Sequence, residues 1–162
     1  MCMKIKIDGW RAHITFSSAH FIPDYNTCGR LHGHTYAVHA AVEGEPDARG
    51  IIMDFSALKQ ALRTVAGELD HRVLVPERGE LAVRGTGEEI EVLFRDKRYL
   101  FPAEDCICLP LASSTAENLA SYVLQRVQEE LAIPANVSAL HVGVDEGYGQ
   151  GAWVYTRCGG AP

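Results

Sequence analysis

Apolar and polar positions alternate through residues 4–20, the period of a half-buried strand. Ile14, Phe16, Ser18 and His20 share one face, and a break is expected near Gly9. Residues 22–31 contain Pro23, Asp24, Asn26 and Gly29, turn chemistry that predicts a loop. Alternation resumes over 32–44. His32, His34, Tyr36, Val38, Ala40 and Val42 form the apolar face, and Thr35, Ala37, His39, Ala41 and Glu43 the more polar one. The two strands are expected to pair as a hairpin with a long connection, ending at Gly44-Glu45-Pro46-Asp47.

The period then changes. Phe55, Leu58, Leu62, Val65, Ala66 and Leu69 fall on one face of a helix that Asp54 can cap and that runs out near Leu69-Asp70-His71. In 72–112 the pattern is weak. Glu89–Arg95 and Arg98–Phe101 predict a hairpin turning at Asp96-Lys97, and Cys106 to Leu111 a short strand. Ser114-Thr115-Ala116-Glu117 reads as a capping box with Ser114 as N-cap. The helix it opens carries Leu119, Ala120, Val123, Leu124, Val127 and Leu131 on its apolar side and stops before Pro134. Strands at 137–146 and 152–158 follow, joined by Gly147-Tyr148-Gly149-Gln150-Gly151. The order β-β-α-(insert)-α-β-β predicts an antiparallel sheet with helices on one face, an α+β domain spanning 1–162.

Composition narrows the partners. A net charge of −6 without a Lys/Arg run disfavours nucleic acid. The N-terminus lacks an apolar signal core and no later stretch is long enough to span a bilayer, so no membrane partner and a cytoplasmic location are expected. Five cysteines without framework spacing argue against a disulfide scaffold, and Cys106-x-Cys108 is read as a pair on a strand.

The candidate chemistry sits where the first two strands end. His20, His32 and His34 terminate apolar faces, and three neutral imidazoles with one open position describe a catalytic zinc site. Cys28, four residues before His32, is a candidate base or nucleophile. His39 lies on the opposite face, and His13 and His141 are out of phase with the apolar faces; all three are read as ordinary surface or inter-strand histidines. Glu146 shares a face with Leu140, Val142 and Val144. It is either a strand-end carboxylate in solvent or an ion pair, or an anchor that accepts two parallel N–H bonds from a guanidine-like edge. Asp70-His71 is either a polar helix end or an imidazole oriented by a carboxylate, able to shift a nearby cysteine toward thiolate.

Taken together, FSSAH, CGRLHGH, MDF, LDH, STAENLA and VDEGYGQGAWVY occur in an order that resembles the 6-pyruvoyl-tetrahydropterin synthase / 6-carboxytetrahydropterin synthase family over nearly the whole chain. The resemblance implies the tunnelling fold: a four-stranded antiparallel sheet with two helices on one face, here with an inserted hairpin around 73–112. It also implies a homohexamer, a dimer of trimers, with sites between subunits. By position it assigns His20, His32 and His34 as zinc ligands, Cys28 as catalytic base, Asp70 and His71 as its partners, Glu146 as the pterin anchor, and Thr115 and Glu117 as pocket residues. The implied substrate is 7,8-dihydroneopterin triphosphate. The CxxxHGH spacing resembles the queuosine-pathway 6-carboxy branch, which releases acetaldehyde and triphosphate; the 6-pyruvoyl branch, which eliminates triphosphate, is the alternative. A non-catalytic zinc-containing pterin-binding oligomer is the second. Two departures stand out: the long segment between LDH and STAEN, and Glu146-Gly147 where the family usually has Glu-Thr. Arg30 and Lys59 are the candidate triphosphate contacts.

Overall fold

The computed structural model describes residues 1–159; the last three residues of the expected 1–162 domain lie outside the described residues. The alternating stretch 4–20 is two strands, β1 (Met3–Ile7) and β2 (Thr15–His20), interrupted around Gly9 as expected. Strand β3 (His32–Gly44) returns antiparallel to β2, placing His20 opposite His32. Helix α1 (Phe55–Leu69) follows, with the Asp54 carboxylate accepting the Ser56 N–H at its N-terminus. Its buried face is Leu58, Ala61, Leu62, Val65, Ala66 and Leu69, while Phe55, counted on that face from the sequence, is exposed at the first helical position.

The segment 72–112 holds more structure than a hairpin. Strands β4 (Arg72–Pro76) and β8 (Cys106–Leu109) pair in parallel and extend the main sheet from the β2 side. Between them β5 (Ala82–Gly85), β6 (Glu89–Phe94) and β7 (Lys97–Pro102) form a separate three-stranded antiparallel sheet. The expected β6–β7 hairpin is therefore present but turns one residue earlier, at Arg95-Asp96, with Arg95 at φ 53°. Helix α2 (Ala116–Glu130) leads into β9 (Val137–Glu146) and β10 (Gly151–Arg157).

The main sheet runs β10-β9-β3-β2-β4-β8, with β1 also paired to β3. Its antiparallel centre, β2, β3, β9 and β10, is the four-stranded sheet expected of the tunnelling fold. Strands β1, β4 and β8 widen it to seven. Both helices lie on one face, and the core between them joins Phe16, Tyr36, Val38, Leu140, Val142 and Val144 to the apolar sides of α1 and α2. Burying each such side chain contributes about 1.5–3 kcal/mol. A second core of Phe21, Val75, Leu81 and Val92 ties the small sheet to the main one.

His39 departs from its expected place. Gly9 and Trp10 from the β1–β2 turn and the Trp153 ring reach the face that alternation left open, so His39 is buried. Its Nδ1 accepts the Gly9 N–H at 3.0 Å, and Nε2 lies 3.1 Å from Asp145, which also accepts the Trp10 indole N–H. His141 is inter-strand as read, 3.0 Å from Glu43.

Candidate active site

His20 ends β2 and His32 opens β3, so antiparallel register brings them together, and the two-residue period adds His34 on the same side. The ring centroids lie 4.6 Å (His20–His32), 5.1 Å (His20–His34) and 4.9 Å (His32–His34) apart, and one nitrogen from each ring falls within 4.8 Å of the others. The rings are oriented from behind. His20 Nδ1 faces the Ser114 carbonyl at 3.0 Å and its hydroxyl at 3.2 Å, and His32 Nδ1 faces the Arg30 carbonyl at 2.6 Å. A carbonyl can only accept, so in both rings Nδ1 carries the proton and Nε2 presents a lone pair. His20 Nε2 and His34 Nε2 are buried without hydrogen-bond partners. Burial, against a smaller opposing effect of the Ser114 contact and with help from the two neighbouring rings, lowers the His20 pKa to about 4. Three converging imidazoles, His20 and His32 backed by carbonyls and His20 and His34 with buried, unpartnered Nε2 atoms, are a donor set that a zinc ion accepts.

Glu146 closes the nest. Pairing of β9 with β3 sets it opposite Tyr36, and its carboxylate lies 3.3 Å from His34 Nε2 and 4.0 Å from His20 Nε2. The open-solvent reading of this residue is thus replaced by contact with the imidazoles. Tyr36 is fully buried below, stacked on Phe16 at 4.7 Å, and burial together with the Glu146 charge pushes its phenol well above the ordinary range.

Cys28 sits in a short 3-10 turn (Asn26–Gly29) and lines a cavity of about 490 Å³ with Tyr25, Thr115, Glu117 and Glu146. Four of the residues singled out in the sequence therefore meet at one opening. The capping-box assignment is corrected. The N-cap is Thr115, whose hydroxyl accepts the Asn118 N–H, and Glu117 falls in the first helical turn. Ser114 is drawn out of the cap because it is fully buried against His20. The sequence reading missed this role, and the only available signal was its place just before the helix.

Asp70 and His71 do not join the Cys28 cavity. Asp70 follows the last turn of α1 and accepts the Ser17 N–H at 2.7 Å. Its burial opposes ionisation, but the bonds from Ser17 and His71 outweigh that and hold its carboxyl below the usual range. His71, at φ 57°, places Nδ1 2.9 Å from Asp70 and leaves its ring exposed. It lines a different cavity with Ser17, Gly33, Thr35, Arg72 and Asp105, which His34 of the nest also borders. Ser17, Gly33 and Thr35 are the exposed positions of β2 and β3, out of phase with the ends that carry the three histidines. Arg30 is exposed beside the Cys28 turn and Lys59 is half-buried on α1; neither lines the Cys28 cavity. Cys106 and Cys108 pack against the second core, and burial, aided by Cys108 and Asp105, pushes the Cys106 thiol to about 11.

Fold and site together define a tunnelling-fold enzyme with a three-histidine centre. The profile of the 6-pyruvoyl tetrahydropterin synthase family matches residues 10–157. A Methanocaldococcus jannaschii protein, provisionally named 6-carboxy-5,6,7,8-tetrahydropterin synthase, is 33% identical over 93% of this chain and 94% of its own length. The 6-carboxy-5,6,7,8-tetrahydropterin synthase of Bacillus subtilis is 33% identical over 66% of this chain and 62% of its own. The crystal structure of Plasmodium vivax 6-pyruvoyl tetrahydropterin synthase superposes with a TM-score of 0.90 at 28% identity, covering 98% of this chain and 99% of that one. The chain belongs to the 6-pyruvoyl tetrahydropterin synthase family, and it is a lyase-type enzyme of the tetrahydropterin synthase class. Among the described residues, no helix is long and apolar enough to cross a membrane.

Proposed function

We propose that the protein is a zinc-dependent 6-carboxy-5,6,7,8-tetrahydropterin synthase of the queuosine (7-deazapurine) pathway. It converts 7,8-dihydroneopterin triphosphate and one water to 6-carboxytetrahydropterin, acetaldehyde and triphosphate. The observation that carries the reading is Glu146, which lines the Cys28 cavity and reaches the His20–His32–His34 nest through His34 at 3.3 Å and His20 at 4.0 Å. The names of the relatives from Methanocaldococcus jannaschii and Bacillus subtilis favour the 6-carboxy product.

Zinc held by His20, His32 and His34 would supply Lewis acidity to the hydroxyls of the substrate side chain. The remaining roles fall to the chain itself. The Glu146 carboxylate accepts two N–H bonds from the 2-amino-4-oxo edge of the pterin, while Thr115 and Glu117 line its pocket. The Cys28 thiolate takes the proton from the side-chain carbon, and His71, oriented by Asp70 at 2.9 Å, returns one. Because Asp70 and His71 lie away from the Cys28 cavity of their own chain, they serve the cavity of a neighbouring copy. The enzyme then works as a homo-oligomer, a hexamer built as a dimer of trimers. The cysteines described are all free, which fits a reducing, cytoplasmic setting.

The 6-pyruvoyl alternative is favoured by the Plasmodium vivax likeness, which spans nearly the whole of both chains. Product mass spectrometry and metal analysis of the purified protein decide among the readings. The expected outcome is 6-carboxytetrahydropterin with acetaldehyde, and one zinc per chain that His32→Ala loses. A 6-pyruvoyl product moves the assignment to the alternative. Zinc and pterin binding with no turnover supports the non-catalytic oligomer. Full zinc in His32→Ala sinks the ligand assignment.

A further inference from the structure

The insert has no role in the chemistry above, yet its contacts converge on the loop that carries Cys28. That loop is folded on itself by backbone bonds alone: Ile22 N–H to the Cys28 carbonyl, Tyr25 to Ile22, Gly29 to Tyr25 and Arg30 to Thr27. Asp24 and Asn26 both adopt left-handed backbone, at φ 59° and 46°, which costs free energy even for these tolerant residues. Such a loop holds one geometry only when its surroundings fix it.

Among the described residues, the side-chain hydrogen bonds that reach 22–29 come from the tip of the β6–β7 hairpin. The Lys97 ammonium donates to the Gly29 carbonyl at 2.9 Å, one residue past Cys28, and the Arg95 guanidinium donates to the Asp24 carboxylate at 2.6 Å. Below the tip, Tyr99 stacks on Phe21 at 4.9 Å, at the start of the same loop and next to His20. The small sheet is in turn fixed to β4 and β8 through Val75, Val92, Cys106 and Cys108. One continuous path of contacts thus runs from the main sheet, through the insert, to the turn that holds the thiol.

We propose that the three-stranded insert sheet is a brace that sets the position of Cys28 at the cavity it shares with Glu146, with Lys97 and Arg95 as positioning residues. The proposal rests on the reading of Cys28 as the proton-transfer base. It explains why the insert lies beside this loop, and it separates the insert's task from substrate binding. Lys97 matters more than Arg95, because an exposed ion pair contributes little by itself.

The test uses the full-length, metal-loaded enzyme and compares Lys97→Met, the Arg95→Ala/Lys97→Met double variant and Lys97→Arg with the parent. In the double variant, amide hydrogen exchange across 22–30 should quicken about tenfold, the scale of lost hydrogen bonds, while β3 and β9 exchange as before. Turnover should fall about tenfold in kcat with KM within about threefold, because a displaced base affects the reaction and not the binding of substrate. Lys97→Arg, which keeps a cationic donor, should recover most of both. Parental exchange across 22–30 in the double variant overturns the brace, as does faster exchange with kcat unchanged. If the parent itself turns over no pterin triphosphate, the functional reading fails and the exchange measurement alone decides the brace.

Discussion

The His20–His32–His34 nest and the Asp70–His71 pair are both histidine sites, built in opposite ways. In the nest the outer nitrogens of His20 and His32 are tied to backbone carbonyls, and His20 is wholly buried. A carbonyl partner fixes the neutral tautomer and leaves a lone pair facing inward, which is what a metal ligand needs. In the pair, the outer nitrogen of His71 faces a carboxylate and 84% of its side chain is exposed. A carboxylate partner stabilises the imidazolium, which is what a proton donor needs. Strand ends over the core build the first; a helix terminus and a left-handed residue build the second. The two sites thus differ in what holds the second nitrogen of the ring and in whether its other side meets its own chain or open space.

The largest effect comes from breaking the two halves apart. Cys28→Ala and His71→Ala should each lower turnover by about 10²–10⁴, the range for removing a proton-transfer group. If the halves meet only between copies, mixing the two inactive variants and reassembling them should restore on the order of a quarter of parental activity, since random association rebuilds that share of intact interfaces. A mixture as inactive as its components would mean that Cys28 and His71 act within one chain, and the comparison above would fail.

A smaller effect follows from the burial of His20. His20 has an ordinary value of 6.5 when unfolded and about 4 when folded. Between those values the unfolded chain binds a proton that the folded chain does not. The contribution is therefore complete above about pH 6.5 and is lost as pH falls toward 4, amounting to about 3 kcal/mol. Urea unfolding of the metal-free protein at both ends of that window should show the loss, and His20→Gln should remove that part of the slope. An equal slope in parent and variant would mean that His20 is free to charge inside the fold.

What the sequence disclosed follows the same division. The nest was legible because strand alternation is strict: once residues 14–20 and 32–44 are strands, His20, His32 and His34 must point inward. Helix α1 was legible for the same reason, its apolar positions recurring with the helical period. Segment 72–112 was not. Strands β4, β5 and β8 have only five, four and four residues, too few for a period to emerge, and β4 and β8 pair across more than thirty positions of chain that no local pattern reports. The burial of His39 escaped notice because a turn and a tryptophan from other elements cover it. The separation of His71 from Cys28 is a matter of which cavity each enters, and motif spacing along a chain carries no such information.

The finest test of the comparison concerns Ser114. If a partner on the second nitrogen makes a histidine a ligand, weakening that partner should weaken zinc without disturbing the fold. Ser114 offers two acceptors to His20 Nδ1, the carbonyl at 3.0 Å and the hydroxyl at 3.2 Å, and Ser114→Ala removes only the second. The expected loss in zinc affinity is about tenfold, the lower end for an outer partner of a ligating histidine, because the carbonyl still orients the ring. A chelator competition titration measures it. Thr115→Ala provides the contrast one residue away. It deletes the helix cap and should lower stability by about 1 kcal/mol while leaving zinc affinity as it was. Equal zinc affinity in Ser114→Ala and the parent would show that the carbonyl alone sets the tautomer. The buried hydroxyl would then serve packing, and the contrast between the two histidine sites would rest on the backbone alone.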